Sequence, residues 1–375
     1  MPAQTANRSA LSRRITANLR RHKIALCLLA LALAGLGLFW AARSNRAWMD
    51  AWLAHVSMPF KRAVSAAVDP LPFSACEAAA TIAILAALVL LVRAVVLAVR
   101  GVHNRLGTWL LHFGTFVLWI YLLVCAFWGT QYYGATFAQQ AGMKAPPMTM
   151  DQLEAVTATF TARVNETAAV PRDENGLFAV EPGAILDASD GIYDAITAEY
   201  PFLAGPQRRP KPAFYSRLMS AFGFTGYLCP LFGESTLNVD SPAVFLPVTI
   251  AHEFAHQRGV AAEQEANFCG IYAAVTCGDP VYAYSGWLYG YLHLYNALYS
   301  ADPQRAAGVM ATLCDGARRD LAANNAYWTA WQGPAEQVGT AVYEGFLQSY
   351  DQDLGMRSYG ACVGLLVEKY LPLIS

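Results

Sequence analysis

The chain has 375 residues, 55% of them hydrophobic and only 14% charged. A charged share so far below the roughly 25% of soluble domains points to membrane segments. The net charge of −1 hides an uneven distribution: residues 1–130 hold 13 Lys/Arg against three acids, whereas the other 245 hold 13 against 24, and that acidic rear half excludes a nucleic-acid surface, which needs clustered cations.

In chain order, the first element is a basic tail, residues 1–23, with Arg8, Arg13, Arg14, Arg20, Arg21 and Lys23. Three apolar runs follow, each near the roughly 20 residues that span a bilayer: Ile24 to Ala42, Ala78 to Val99 and Trp109 to Thr130. Residues 24–130 are therefore expected to form a membrane domain of three transmembrane helices. No clean small-x-small cleavage site follows the first run, so a span is expected there rather than a cleaved leader. The tail, the end of the second span and the second turn carry nine Lys/Arg, against four (Arg43, Arg46, Lys61, Arg62) in the first turn. The positive-inside rule then puts everything after Thr130 outside the cytoplasm. The 43–75 loop reads as a segment lying on the membrane surface or as an ordinary linker.

From residue 131 on no apolar run reaches spanning length, and long helical patterns alternate with breaks at Gly and Pro. The expected fold class is mainly α, with Met150 to Val170 an amphipathic helix. Phe224 to Asp240 supplies a small β edge of one or two strands, which could pair with an extended peptide. The stripe Tyr284, Trp287, Leu288, Tyr291, Leu292, Tyr295 has helical spacing and reads as core, and His293 as structural. Five rear cysteines leave room for one or two disulfides if that half is extracytoplasmic.

The chemistry concentrates in His252-Glu253-Phe254-Ala255-His256. Residues four apart on a helix differ by about 40° in direction, so both imidazoles can reach one Zn²⁺ from one face. Glu253 stands about 100° round, placed to act on a water as general base without ligating the metal. A catalytic zinc needs a third protein ligand. Gly259 is expected to end the motif helix, and a new helix near Ala261 offers Glu263 as that ligand, with Glu265 as the fallback on a different face and Asn267 as a partner for a ligand histidine. Tyr359 is the candidate for steadying an oxyanion.

The chain resembles a bacterial membrane-protein family catalogued as domain of unknown function 3810. The residues that carry the likeness are Gly226-Tyr227, Pro230 to Asn238, Leu246 to Gly259, Glu263 to Phe268, Tyr284-Ser-Gly286 and Ser358-Tyr-Gly360. The resemblance implies a zincin-like domain outside the cytoplasm, with no assigned substrate. Glu263-Gln-Glu-Ala-Asn267 is also similar, more distantly, to the Glu-x-x-Ala-Asp run of membrane zinc proteases, with Asn in place of Asp. The metzincins are excluded, since Ala262 stands where their third histidine belongs.

Two functions are expected to compete. One is a zinc-dependent metallopeptidase of the bacterial inner membrane, whose residues 131–375 cut peptide or protein outside the cytoplasm. The other is a non-hydrolytic zinc-binding module that recognises peptides or envelope partners. Glu253 favours the first, because binding alone does not need that carboxylate.

Overall fold

The computed structural model describes residues 21–351 and 359–374, so most of the basic tail lies outside it. The chain opens with α1 (Lys23–Ala42), followed by α2 (Arg46–Trp52), a π turn (Leu53–Ser57) and α3 (Met58–Val68). Helices α4 (Ala75–Val99) and α5 (His103–Phe127) come next. Helices α1 and α4, and α5 from Leu106, are long and apolar enough to cross a membrane.

The stretch between the first two spans is helical. Asn45 caps α2 by accepting from the Trp48 amide, and Pro59 follows the π turn in the first turn of α3. This segment packs on the end of α5. The Trp52 indole donates to the Ala126 carbonyl at 2.8 Å and the Ser57 hydroxyl to the Phe127 carbonyl at 2.9 Å. Carbonyls orphaned at a helix C-terminus are thereby satisfied, and the third span ends at Phe127. That is three residues before the expected Thr130, because Trp128 is buried and leads into a short 3-10 turn (Gly129–Tyr133) in which Thr130 is buried too.

The rear half holds α6 (Phe137–Ala141), α7 (Met150–Thr167), α8 (Pro182–Asp187) and α9 (Asp194–Glu199), then β1 (Lys211–Pro212), α10 (Ser216–Ala221), β2 (Gly226–Leu228) and β3 (Ser235–Leu237). After the sheet come α11 (Leu246–Gln257), α12 (Glu263–Thr276), α13 (Pro280–Ala301), α14 (Pro303–Ala311), α15 (Asp315–Trp331), α16 (Pro334–Gln348) and α17 (Tyr359–Tyr370). The fold is mainly α with a small sheet, in the order β1-β3-β2. The expected β edge consists of two strands, β2 and β3, which form a hairpin with Gly226 opposite Leu237. Strand β1 pairs parallel with β3, a pairing that two residues of sequence do not announce.

Helix α12 is the centre of the core. Ala266, Phe268, Cys269, Ile271, Ala273 and Ala274 are buried, and α11, α13 and α17 pack around them. The aromatic stripe lies in this core, with Tyr284, Leu288 and Tyr291 fully buried. All eight cysteines are free.

Carboxylates join the rear domain to the spans by capping helix N-termini, where unpaired N–H groups and the helix dipole favour negative charge by roughly 1 kcal/mol each. Glu234, in the β2–β3 hairpin, accepts from Ser74 Oγ at 2.7 Å and from the amides of Ala75 and Cys76 at the start of α4. Glu77 of α4 reciprocates, accepting from the amides of Phe214 and Tyr215 at the start of α10 (2.7 and 3.1 Å). Glu265 accepts from the amides of Phe137 (2.7 Å) and Ala138 (3.1 Å), at the head of α6 just beyond the third span.

Candidate metal centre

Helix α11 starts with Pro247 in its first turn and runs through the core, with Ile250, Ala251, Phe254 and Ala255 buried. Its other face carries His252 and His256, whose rings stand edge to face with centroids 4.7 Å apart. Gly259 then takes a φ of +94° and turns the chain back towards α12, as expected.

The return brings Glu263 opposite both histidines. Its carboxylate lies 3.3 Å from His252 Nε2 and 3.5 Å from His256 Nε2. One donor atom from each of the three residues falls within 4.8 Å of the others. Glu265 points away and caps α6, so the fallback ligand is not part of the cluster. Asn267 lines the same cavity but bonds neither histidine; the Val260 carbonyl, 2.6 Å from His256 Nδ1, fixes that ring and leaves Nε2 facing Glu263.

Close helix packing holds this geometry. A Cβ built on Gly270 of α12 would lie 2.8 Å from the His252 amide nitrogen and 3.0 Å from its Cα, so only glycine lets the two helices approach this far.

Charge is shared among the three groups. Burial alone raises the Glu263 carboxyl, but the two imidazoles more than reverse this and hold it well below the usual carboxylate range. For His256, burial lowers the pKa and the facing Glu263 lifts it, to about 9. Glu253 is buried, raised by desolvation against the pull of both histidines, and its Oε2 has no hydrogen-bond partner among the described residues. Strand β2 passes directly over it, where a Cβ on Gly226 would stand 3.0 Å from Oε1.

These residues line one cavity of about 480 Å³. Strand β2 forms one wall through Gly226, Tyr227 and Leu228. It is an edge strand of the three-stranded sheet, as the β edge read from the sequence requires. His293 lies on the wall, its ring edge against Tyr289.

Two contributors carry no sequence signal. Tyr343 of α16 donates its hydroxyl to Glu263 Oε1 at 2.5 Å, and burial, with Glu263 beside it, pushes its phenol far up, so it stays a donor. Trp128, the first residue past the third span, sets its ring against His256 with centroids 5.7 Å apart. Each is a single aromatic far from the motif in sequence. Tyr359 opens α17, and its side chain lies outside the described residues.

Two imidazoles and one carboxylate meet here, largely shielded from solvent, with the Glu253 carboxylate beside them. The donor set is one that zinc takes with a coordination position left open. Among families, residues 56–367 match the model described as Protein of unknown function (DUF3810). Neither a curated protein nor a solved structure matches the chain.

Proposed function

The chain belongs to the DUF3810 family, and we propose that it is a membrane-anchored zinc-dependent metallopeptidase hydrolysing peptide bonds. The observation that carries this reading is the meeting of His252, His256 and Glu263 at one point, with the Glu253 carboxylate buried beside it and unpaired. His252, His256 and Glu263 would hold the ion. Zinc bound there would supply Lewis acidity, polarising a carbonyl and acidifying water.

The remaining chemistry belongs to the chain. Glu253 takes the proton of the attacking water and passes it to the leaving amine. Gly226 leaves this carboxylate room under β2, whose free edge can pair with an extended substrate backbone and align its scissile bond over the site. Tyr343 orients Glu263 by its hydrogen bond, and the Val260 carbonyl does the same for His256.

The excess of Lys/Arg in the tail and second turn supports an orientation in which the rear domain faces away from the cytoplasm. Its substrate is then a peptide or protein outside the cytoplasm.

Metal analysis of the full-length chain in detergent, together with peptide cleavage, tests the proposal. Wild type is expected to hold one zinc and His252→Ala none. Glu253→Gln should keep the zinc and lose cleavage by about 10²–10⁴-fold. A wild-type chain without metal would sink the reading. Zinc without cleavage of a broad peptide library would replace it with a zinc-binding module.

A further inference from the structure

Helix α16 has two faces of different use. Thr340, Tyr343 and Phe346 turn into the cavity. On the opposite side Val338 is 55% exposed and Val342 68%, and Ala341 and Gly345 are exposed between and beyond them. The spacing i, i+3, i+4, i+7 makes this one apolar stripe along the exposed face of the helix.

The position of α16 says what that stripe meets. At its C-terminal end Tyr350 packs on Phe39, in the last turn of α1, and lies 3.5 Å from Cys125 Sγ, in the last turn of α5. Further up, Gly339 rests on the Phe222 carbonyl at the end of α10. Helix α10 is itself docked on the start of α4, through Glu77 and through Tyr215 Oη, 3.0 Å from Thr81 Oγ1. So α16 bridges from the C-terminal ends of the first and third spans to the start of the second, on the side where the rear domain sits. Phe73, Phe214 and Leu218 are exposed on this same side, Phe214 by 85%. Apolar residues exposed at the rim of spanning helices continue the lipid-facing surface of those helices.

We propose that α16 lies in the bilayer interface with its Val338–Val342 face among the lipid acyl chains, so that the candidate metal centre beneath it opens at the membrane surface and takes peptide that emerges from, or rests on, the bilayer. The substrate part rests on the peptidase reading; the docking part does not. Trp128 and Tyr132 follow the third span directly and line the cavity, so a peptide anchored in the same bilayer reaches the site within a few residues of its anchor.

The test uses the full-length chain in nanodiscs of phosphatidylethanolamine and phosphatidylglycerol. Val342 is replaced by photoreactive p-benzoylphenylalanine, with Tyr299, exposed on α13, as the comparison position. Irradiation is expected to add a lipid mass at position 342 and none at 299. A crosslink from 342 to a second copy of the chain, or none, overturns the docking. The second arm compares one peptide free in solution with the same peptide carrying an acyl tail inserted in the nanodisc. The Val338→Gln/Val342→Gln variant is expected to lose about tenfold against the anchored peptide, from two valines withdrawn from lipid, with the free peptide cut as before. Equal loss on both peptides overturns the substrate inference. If wild type cuts neither peptide, the peptidase reading fails alone, and the lipid adduct still decides the docking.

Discussion

Gly270 stands where any side chain would strike the backbone of His252, at 2.8 Å from its amide nitrogen. The crossing of α11 and α12 at this point sets the distance between the histidine pair and Glu263. Gly270→Ala is expected to force the helices apart, with an overpacking cost of about 1–3 kcal/mol. Thermal melting should fall, and zinc per chain should fall with it. A variant that melts normally and holds full zinc would mean the crossing does not set the site.

The two glutamates of α12 should separate cleanly. Glu263→Gln is expected to bring bound zinc to background and also to cost the apo fold stability, because His256 loses the charge that faces it. Glu265→Gln should retain zinc and lose roughly 1–2 kcal/mol of stability, because the head of α6 exchanges a charged acceptor for a neutral one. Zinc content and thermal melts of both variants decide the matter, and a reversed pattern would exchange their roles.

Tyr343→Phe removes the hydroxyl that orients Glu263 and leaves the ring packing in place. Zinc affinity is expected to drop by about tenfold, the lower end for losing a partner of a metal ligand. Competition with a chelator of known affinity reads this directly. An unchanged affinity would make Tyr343 a packing residue only.

Lys61 supplies a pH test away from the ligands. Its ammonium is buried over the Trp128 ring at 5.0 Å, with no hydrogen-bond partner among the described residues. Desolvation lowers its pKa from 10.5 to about 7, the nearby Cys229 opposing. Below pH 7 the lysine is charged both folded and unfolded, and the folded chain bears the whole desolvation cost, on the order of a few kcal/mol. Between about 7 and 10.5 the unfolded chain keeps the proton that the folded chain has released, so stability rises with pH. Lys61→Met should therefore stabilise most near pH 6 and progressively less towards pH 10. Melts showing an equal gain at both ends would refute the assignment.

What could be read in advance follows from how each feature is encoded. The histidine pair and Glu253 lie within five residues, and Glu263 sits one turn of chain beyond, so local spacing is enough. Spans are legible because lipid demands a long unbroken apolar run. Tyr343 escapes such reading, since its role depends on where α16 lands, 80 residues after its partner. The end of the third span escapes too: Trp128 looks like an interfacial anchor, and only its packing on His256 gives it to the site. Strand β1 has two residues and one of them is Pro212, so pairing with β3 rather than propensity makes it a strand.

The reciprocal caps between Glu234 and α4, and between Glu77 and α10, imply something about mechanics. They clamp the domain to the start of the second span from both sides, while Glu265 ties α12 to α6, the short helix that follows the third span. The domain's height is thus tied to the start of α4, where the second span begins. A change in bilayer thickness that tilts α4 or α5 would be felt directly at α12, whose first turn carries both a clamp and a ligand, Glu265 and Glu263.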